Sequence, residues 1–170
     1  LASYCCALGQ TLHQSFELAE SLFKSEHFAK AKDTYERVIF FDKEDTYKQQ
    51  SLVRIANCYL ALSMPKKAFK ALDAAIIITS NNIERNDLIL SKSLELIQQK
   101  MWFRALEDLY SLNGATPEQS KTANYLTAVA HFGSSNYTES KKYFLTITSE
   151  GNKAEIDAIF EKAERKLNPK

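Results

Sequence analysis

The chain has 170 residues, 45% of them hydrophobic and 25% charged, and its 22 Lys and Arg nearly balance 21 Asp and Glu. That composition describes an ordered globular protein and excludes disorder as a description of the whole. A net charge of +1 gives no overall attraction for nucleic acid or an acidic membrane, and only four glycines and three prolines leave long tracts free to be helix.

Residues 1–9 are almost uncharged and rich in small side chains, and they end on Ala7 and Gly9. A small-x-small pair of this kind precedes an export cleavage site. The segment reads either as the remnant of an export signal, placing the protein in the periplasm or envelope, or as the first turns of a packed helix. A single helical domain is expected over 10–170. In its first tract, 11–25, Leu12, Phe16, Leu18, Ala19, Leu22 and Phe23 recur at helical spacing. Glu26 and His27 form a turn before a helix over 28–41, and 42–46 connects to a helix near Tyr47 carrying Leu52, Ile55, Ala56 and Tyr59. Ser63 to Pro65 is the next turn, where proline suits a first helical turn that needs no amide donor. Ala68, Leu72 and Ala75 follow on the return helix.

A third pair begins near Ile83, and its first helix is apolar over much of its circumference: Leu88, Ile89, Leu90, Leu94, Leu96 and Ile97. Such a helix is either sandwiched or exposes a face to a partner. Its return helix is lined by Phe103, Leu106, Leu109, Tyr110 and Leu112, with Asn113 and Gly114 as terminator. Thr116, Pro117, Glu118 and Gln119 signal the start of a fourth pair, with a cap residue, a first-turn proline and an acidic side chain near exposed amides, and that pair turns loosely at 133–136. A last stripe of Ile156, Ile159, Phe160, Ala163 and Leu167 is expected to cap the stack.

The return helices repeat. Phe28, Ala31, Tyr35 and Val38 recur as Pro65, Ala68, Leu72 and Ala75, as Trp102, Ala105, Leu109 and Leu112, and as Tyr137, Ser140, Phe144 and Ile147, at periods of 37, 37 and 35. On the first helices Ala19, Ala56, Ser93 and Ala128 keep the same register. Each hairpin therefore crosses where neither helix carries bulk. In these residues the chain resembles a tetratricopeptide-repeat protein, over about 12–147. Lys92, Asn124, Thr127 and His131 depart from the family's apolar slots. The resemblance implies an all-α superhelix, or solenoid, of about four helical hairpins plus a C-terminal capping helix. It also implies a noncatalytic scaffold that binds a peptide or amphipathic helix along the face of the first helices.

Carried over by register, that face includes Phe16, Glu20 and Phe23, then Arg54 and Asn57, then Leu90, Leu94 and Ile97, then Tyr125, Val129 and Phe132, with Glu17, Gln50 and Val53 among them. Its earlier half is mixed and charged, and its later half is apolar and suited to an amphipathic helix or to a second copy of the chain. Arg54 and Asn57 invite comparison with a carboxylate clamp, but Glu17 and Glu20 would repel an acidic tail. Arg54 therefore reads as a solvated or salt-bridged groove residue. The alternatives are a homodimer built through the apolar half and a small ligand-binding or hydrolytic protein.

No catalytic, cofactor or metal set emerges. His13, His27 and His131 lie on separate units without ligand spacing, and Cys5, Cys6 and Cys58 form no framework. Basic clusters such as Lys66, Lys67 and Lys70 lack interleaved aromatics, so no nucleic-acid partner is expected. No tract is long enough to span a bilayer.

Overall fold

The computed structural model describes residues 2–148, with side chains from Leu12 onward. The expected capping stripe, Ile156 to Leu167, lies outside the described residues, as do the side chains of 2–11. Among the described residues there are eight α-helices and no strand. They are α1 (Ala2–Lys24), α2 (Phe28–Phe41), α3 (Lys48–Ala61), α4 (Pro65–Ile78), α5 (Asn82–Gln98), α6 (Trp102–Tyr110), α7 (Pro117–Gly133) and α8 (Tyr137–Ile147). The chain divides into two compact units between Ser80 and Asn81. In the first, α1 packs on α2, α2 on α3 and α3 on α4; in the second, α5 packs on α6, α6 and α5 on α7, and α7 on α8. Each unit is thus two hairpins in sequential contact, the arrangement of a helical-repeat protein.

All four hairpins use the same turn. Three residues join α1 to α2, α3 to α4, α5 to α6 and α7 to α8. Within each turn one non-glycine residue is left-handed: Glu26, Ser63, Lys100 and Ser135, with φ between 58° and 65°. The amide after it reaches back to the carbonyl five residues earlier: His27 to Leu22, Met64 to Tyr59, Met101 to Leu96 and Asn136 to His131, at 2.8–2.9 Å. This is the Schellman closure, which satisfies carbonyls at a helix end. The turn at 133–136, expected to be loose, has the same geometry as the others. The left-handed region is costly for a side chain with a Cβ. Lys100→Gly is therefore expected to stabilise the second unit by about 0.5–1 kcal/mol. Urea melts of the two forms measure it, and a loss of stability would contradict the assignment.

The connections between hairpins also share a position. Asp42, Thr79 and Thr116 stand 37 residues apart. The Asp42 carboxylate accepts from the amides of Thr46 (3.0 Å) and Tyr47 (2.6 Å). The Thr79 hydroxyl donates to the Ala75 carbonyl (2.7 Å) and accepts from the Gln49 side chain (3.1 Å). Thr116 and Gln119 form a reciprocal capping box at the start of α7.

The eight small residues meet expectation at every position. Ala19, Ala31, Ala56, Ala68, Ser93, Ala105, Ala128 and Ser140 are completely buried. At the α7–α8 crossing, the Ser140 hydroxyl donates directly to the Ala128 carbonyl at 2.7 Å. Around the crossings of the first unit, Tyr35, Ile55, Cys58, Ala71 and Leu72 close the core, with Phe16, Leu22, Phe23, Phe28 and Tyr59 packed against it.

The second unit fills its core differently. Three of its departures from the apolar pattern, Lys92, Thr127 and His131, are buried, while Asn124 is half-buried. Lys92 of α5 meets Asp108 of α6 at 2.9 and 3.1 Å, the Asn86 side chain donates to the Asn113 carbonyl at 3.0 Å, and Gln119 donates to the Ile83 carbonyl and to Asp87. His131 is buried between α6 and α8. Its Nε2 lies 2.9 Å from the Tyr110 hydroxyl and its ring stacks on Tyr143, while Nδ1 has no hydrogen-bond partner among the described residues. Helix α6 ends at Tyr110, a turn earlier than Asn113 and Gly114 suggest, although Gly114 is left-handed as expected.

Burial pushes the pKa of His131 below its ordinary value against the opposing pull of Glu139, which is itself paired with Lys142. The folded state thus takes up a proton less readily than the unfolded chain. Stability should be complete above the unfolded histidine pKa of about 6.5 and fall as pH drops through and below it. Urea melts of native chain and His131→Phe across that range test this: the native chain should lose more stability on the acid side, and identical pH profiles would refute it.

Candidate functional site

The first unit carries an open pocket of about 470 Å³, lined by Phe16, Glu17, Glu20 and Lys24 of α1 and by Gln49, Gln50, Val53 and Arg54 of α3. Helical register explains the lining. Positions 16, 17, 20 and 24 share one stripe of α1, and 49, 50, 53 and 54 share one of α3.

An ion pair braces the two helices beside it. Arg54 Nε donates to Glu20 Oε1 at 2.6 Å and Nη2 to Oε2 at 2.9 Å, a two-pronged contact. Tyr35, buried in the hairpin core, donates its hydroxyl to Glu20 Oε1, the oxygen that also accepts from Arg54 Nε, at 2.5 Å. The Arg54 guanidinium also lies over the Phe23 ring, 5.0 Å from its centroid. Burial works against the Glu20 charge, but the Tyr35 hydroxyl and Arg54 guanidinium outweigh it and hold the carboxyl below its ordinary pKa. Tyr35 is shifted upward, first by burial and then by its bond to Glu20. At the other end of the pocket Phe16 stacks on Tyr47 and meets Tyr35 edge-on, and His13 Nδ1 lies 3.0 Å from the Tyr47 hydroxyl.

Of the residues expected on this face, Phe16, Glu20 and Arg54 line the pocket, as do Glu17, Gln50 and Val53. Phe23 supports the guanidinium from beneath, and Asn57 is half-buried farther along α3. Arg54, expected to be solvated or salt-bridged, is paired with Glu20 and keeps part of its side chain exposed. Lys24 and Gln49 were missed. Lys24 stands four residues after Glu20, and Gln49 four before Val53, so the helical stripe already contained both.

In the second unit the apolar set separates. Leu90 and Ile97 are buried, Val129 is half-buried, and Leu94, Tyr125 and Phe132 are 44%, 51% and 37% exposed. Because α5 packs against both α6 and α7, its buried arc is wide enough to take in Leu90 and Ile97. The sandwiched reading of that helix therefore holds for two of its three chosen residues. Tyr125 meets Phe144 and Phe132 meets Tyr137 edge-to-face, which anchors both rings to α8.

Among the described residues no three His, Cys, Asp or Glu side chains converge as metal ligands, and no helix is long and apolar enough to cross a membrane. Cys58 is a buried free thiol whose pKa burial pushes up to about 11.

The fold is that of an all-α helical-repeat protein, with two hairpins packed in sequence within each unit. Compared with protein-family models, curated proteins and solved structures, the chain has no match.

Proposed function

We propose that the chain is a noncatalytic protein-interaction scaffold of the tetratricopeptide-like kind, and that the pocket between α1 and α3 receives a segment of a partner protein. One observation carries the reading. The Glu20–Arg54 brace is fixed by Tyr35 and Phe23, so the pocket beside it is held open, with hydrogen-bonding and apolar side chains in place before a partner arrives. Preorganisation of this kind lowers the ordering cost of binding.

Selection from a displayed library of random dodecapeptides against the whole chain tests it. Selected peptides should bind at least about tenfold more weakly to Val53→Glu and to the milder, exposed Gln50→Glu variant. Peptides indifferent to both changes, or an empty selection, would overturn the reading. A second reading, self-association through the second unit, is supported by the exposure of Leu94, Tyr125 and Phe132. Sedimentation decides it: a dimer that Leu94→Glu leaves intact is not built on that surface.

A further inference from the structure

We infer that the α1–α3 pocket selects uncharged peptide main chain, reading the carbonyl and amide groups of a partner segment, and not a charged side chain or chain terminus. The inference rests on the peptide-binding reading above and names what such a segment offers.

Four ionisable groups line the pocket: Glu17, Glu20, Lys24 and Arg54, two of each sign. Glu20 and Arg54 are already matched to each other through two hydrogen bonds. Glu17 and Lys24, seven residues apart on one stripe of α1, leave the remainder balanced. An incoming carboxylate or ammonium would give up hydration and meet as much repulsion as attraction.

What the lining holds beyond its balanced charges is unspent hydrogen-bonding capacity. With Nε and Nη2 engaged by Glu20 and one face against Phe23, Arg54 keeps Nη1 as a donor of fixed orientation. Gln49 directs its amide N–H to Thr79 and keeps its carbonyl oxygen as an acceptor. Gln50 is exposed and supplies both a donor and an acceptor. Phe16 and Val53 add apolar wall. A peptide group presents one donor and one acceptor without net charge, and matches this set where an ion does not.

The experiment uses the full chain, labelled with nitrogen-15, and three small probes: N-acetylglycine N-methylamide, acetate and methylammonium. The Arg54 Nε–Hε and Gln50 side-chain amide signals report the pocket. The neutral diamide should move both signals, equally at low and physiological salt, and Gln50→Glu should weaken the response of Arg54. Acetate and methylammonium should leave both signals in place. A larger response to either ion, or none to the diamide, would overturn the inference. If selected peptides bind at the pocket while the diamide does not, the inference fails and the peptide-binding reading stands; if neither binds, both fall.

Discussion

Asp108→Ala is expected to cost the second unit about 3–5 kcal/mol, a large part of the stability of a small domain. Lys92 Nζ is held by the two Asp108 oxygens at 2.9 and 3.1 Å, and its side chain is only 5% exposed. Removing the carboxylate takes the principal counter-charge from an ammonium group that water hardly reaches. The reverse change behaves differently. Asp108 is 22% exposed, so Lys92→Met puts an apolar chain of similar length in the core and leaves a carboxylate that solvent can hydrate. That variant should be near neutral or more stable, since buried pairs often gain when replaced by apolar side chains. Denaturant melts of both variants measure the asymmetry. Equal losses would mean that the pair is not positioned as described.

The second large effect falls on the hairpin crossings. Ala56 and Ala68 have no exposed surface, and both belong to the core of the first unit. Ala56→Leu adds three carbons where two backbones approach, and overpacking of this kind costs about 1–3 kcal/mol. Ser93, the equivalent residue in the third hairpin, has a buried hydroxyl without a partner among the described residues. Ser93→Ala should therefore raise stability by about 1 kcal/mol, by removing a desolvated hydroxyl. Opposite signs at equivalent positions would show that the crossing penalises both added bulk and a hydroxyl without a partner. A tolerated Ala56→Leu would show that the helices are farther apart than the repeat requires.

The hairpins were legible because their signals are periodic. Helix α2 and helix α4 span the expected residues, the latter opened by Pro65, and all eight small residues are completely buried, as their register implied. The turns were less legible. Their left-handed positions hold Glu26, Ser63, Lys100 and Ser135 in place of glycine, so only the spacing of flanking helices gave them away.

The polar core of the second unit was legible only as departures from a pattern. Lys92, Thr127 and His131 stood out as misfits, but a hydropathy pattern carries no information on whether a polar side chain finds a partner on the next helix. Asn86 and Gln119 gave no such warning, and both are buried. Leu90 and Ile97 were placed on a binding face by register, yet the second neighbour of α5 encloses them. In the first unit the opposing carboxylates and Arg54 gave the electrostatic character of the pocket. The missing element was Tyr35, whose place in the apolar repeat concealed that its hydroxyl reaches Glu20.

The central functional claim is that a partner segment lies between α1 and α3. Nuclear Overhauser contacts between a library-selected peptide and the full chain test it most directly. Contacts to the Val53 methyl groups and the Phe16 ring are predicted. Contacts confined to other exposed apolar side chains, such as Phe40 and Ile77, with none to Val53 or Phe16, would contradict it.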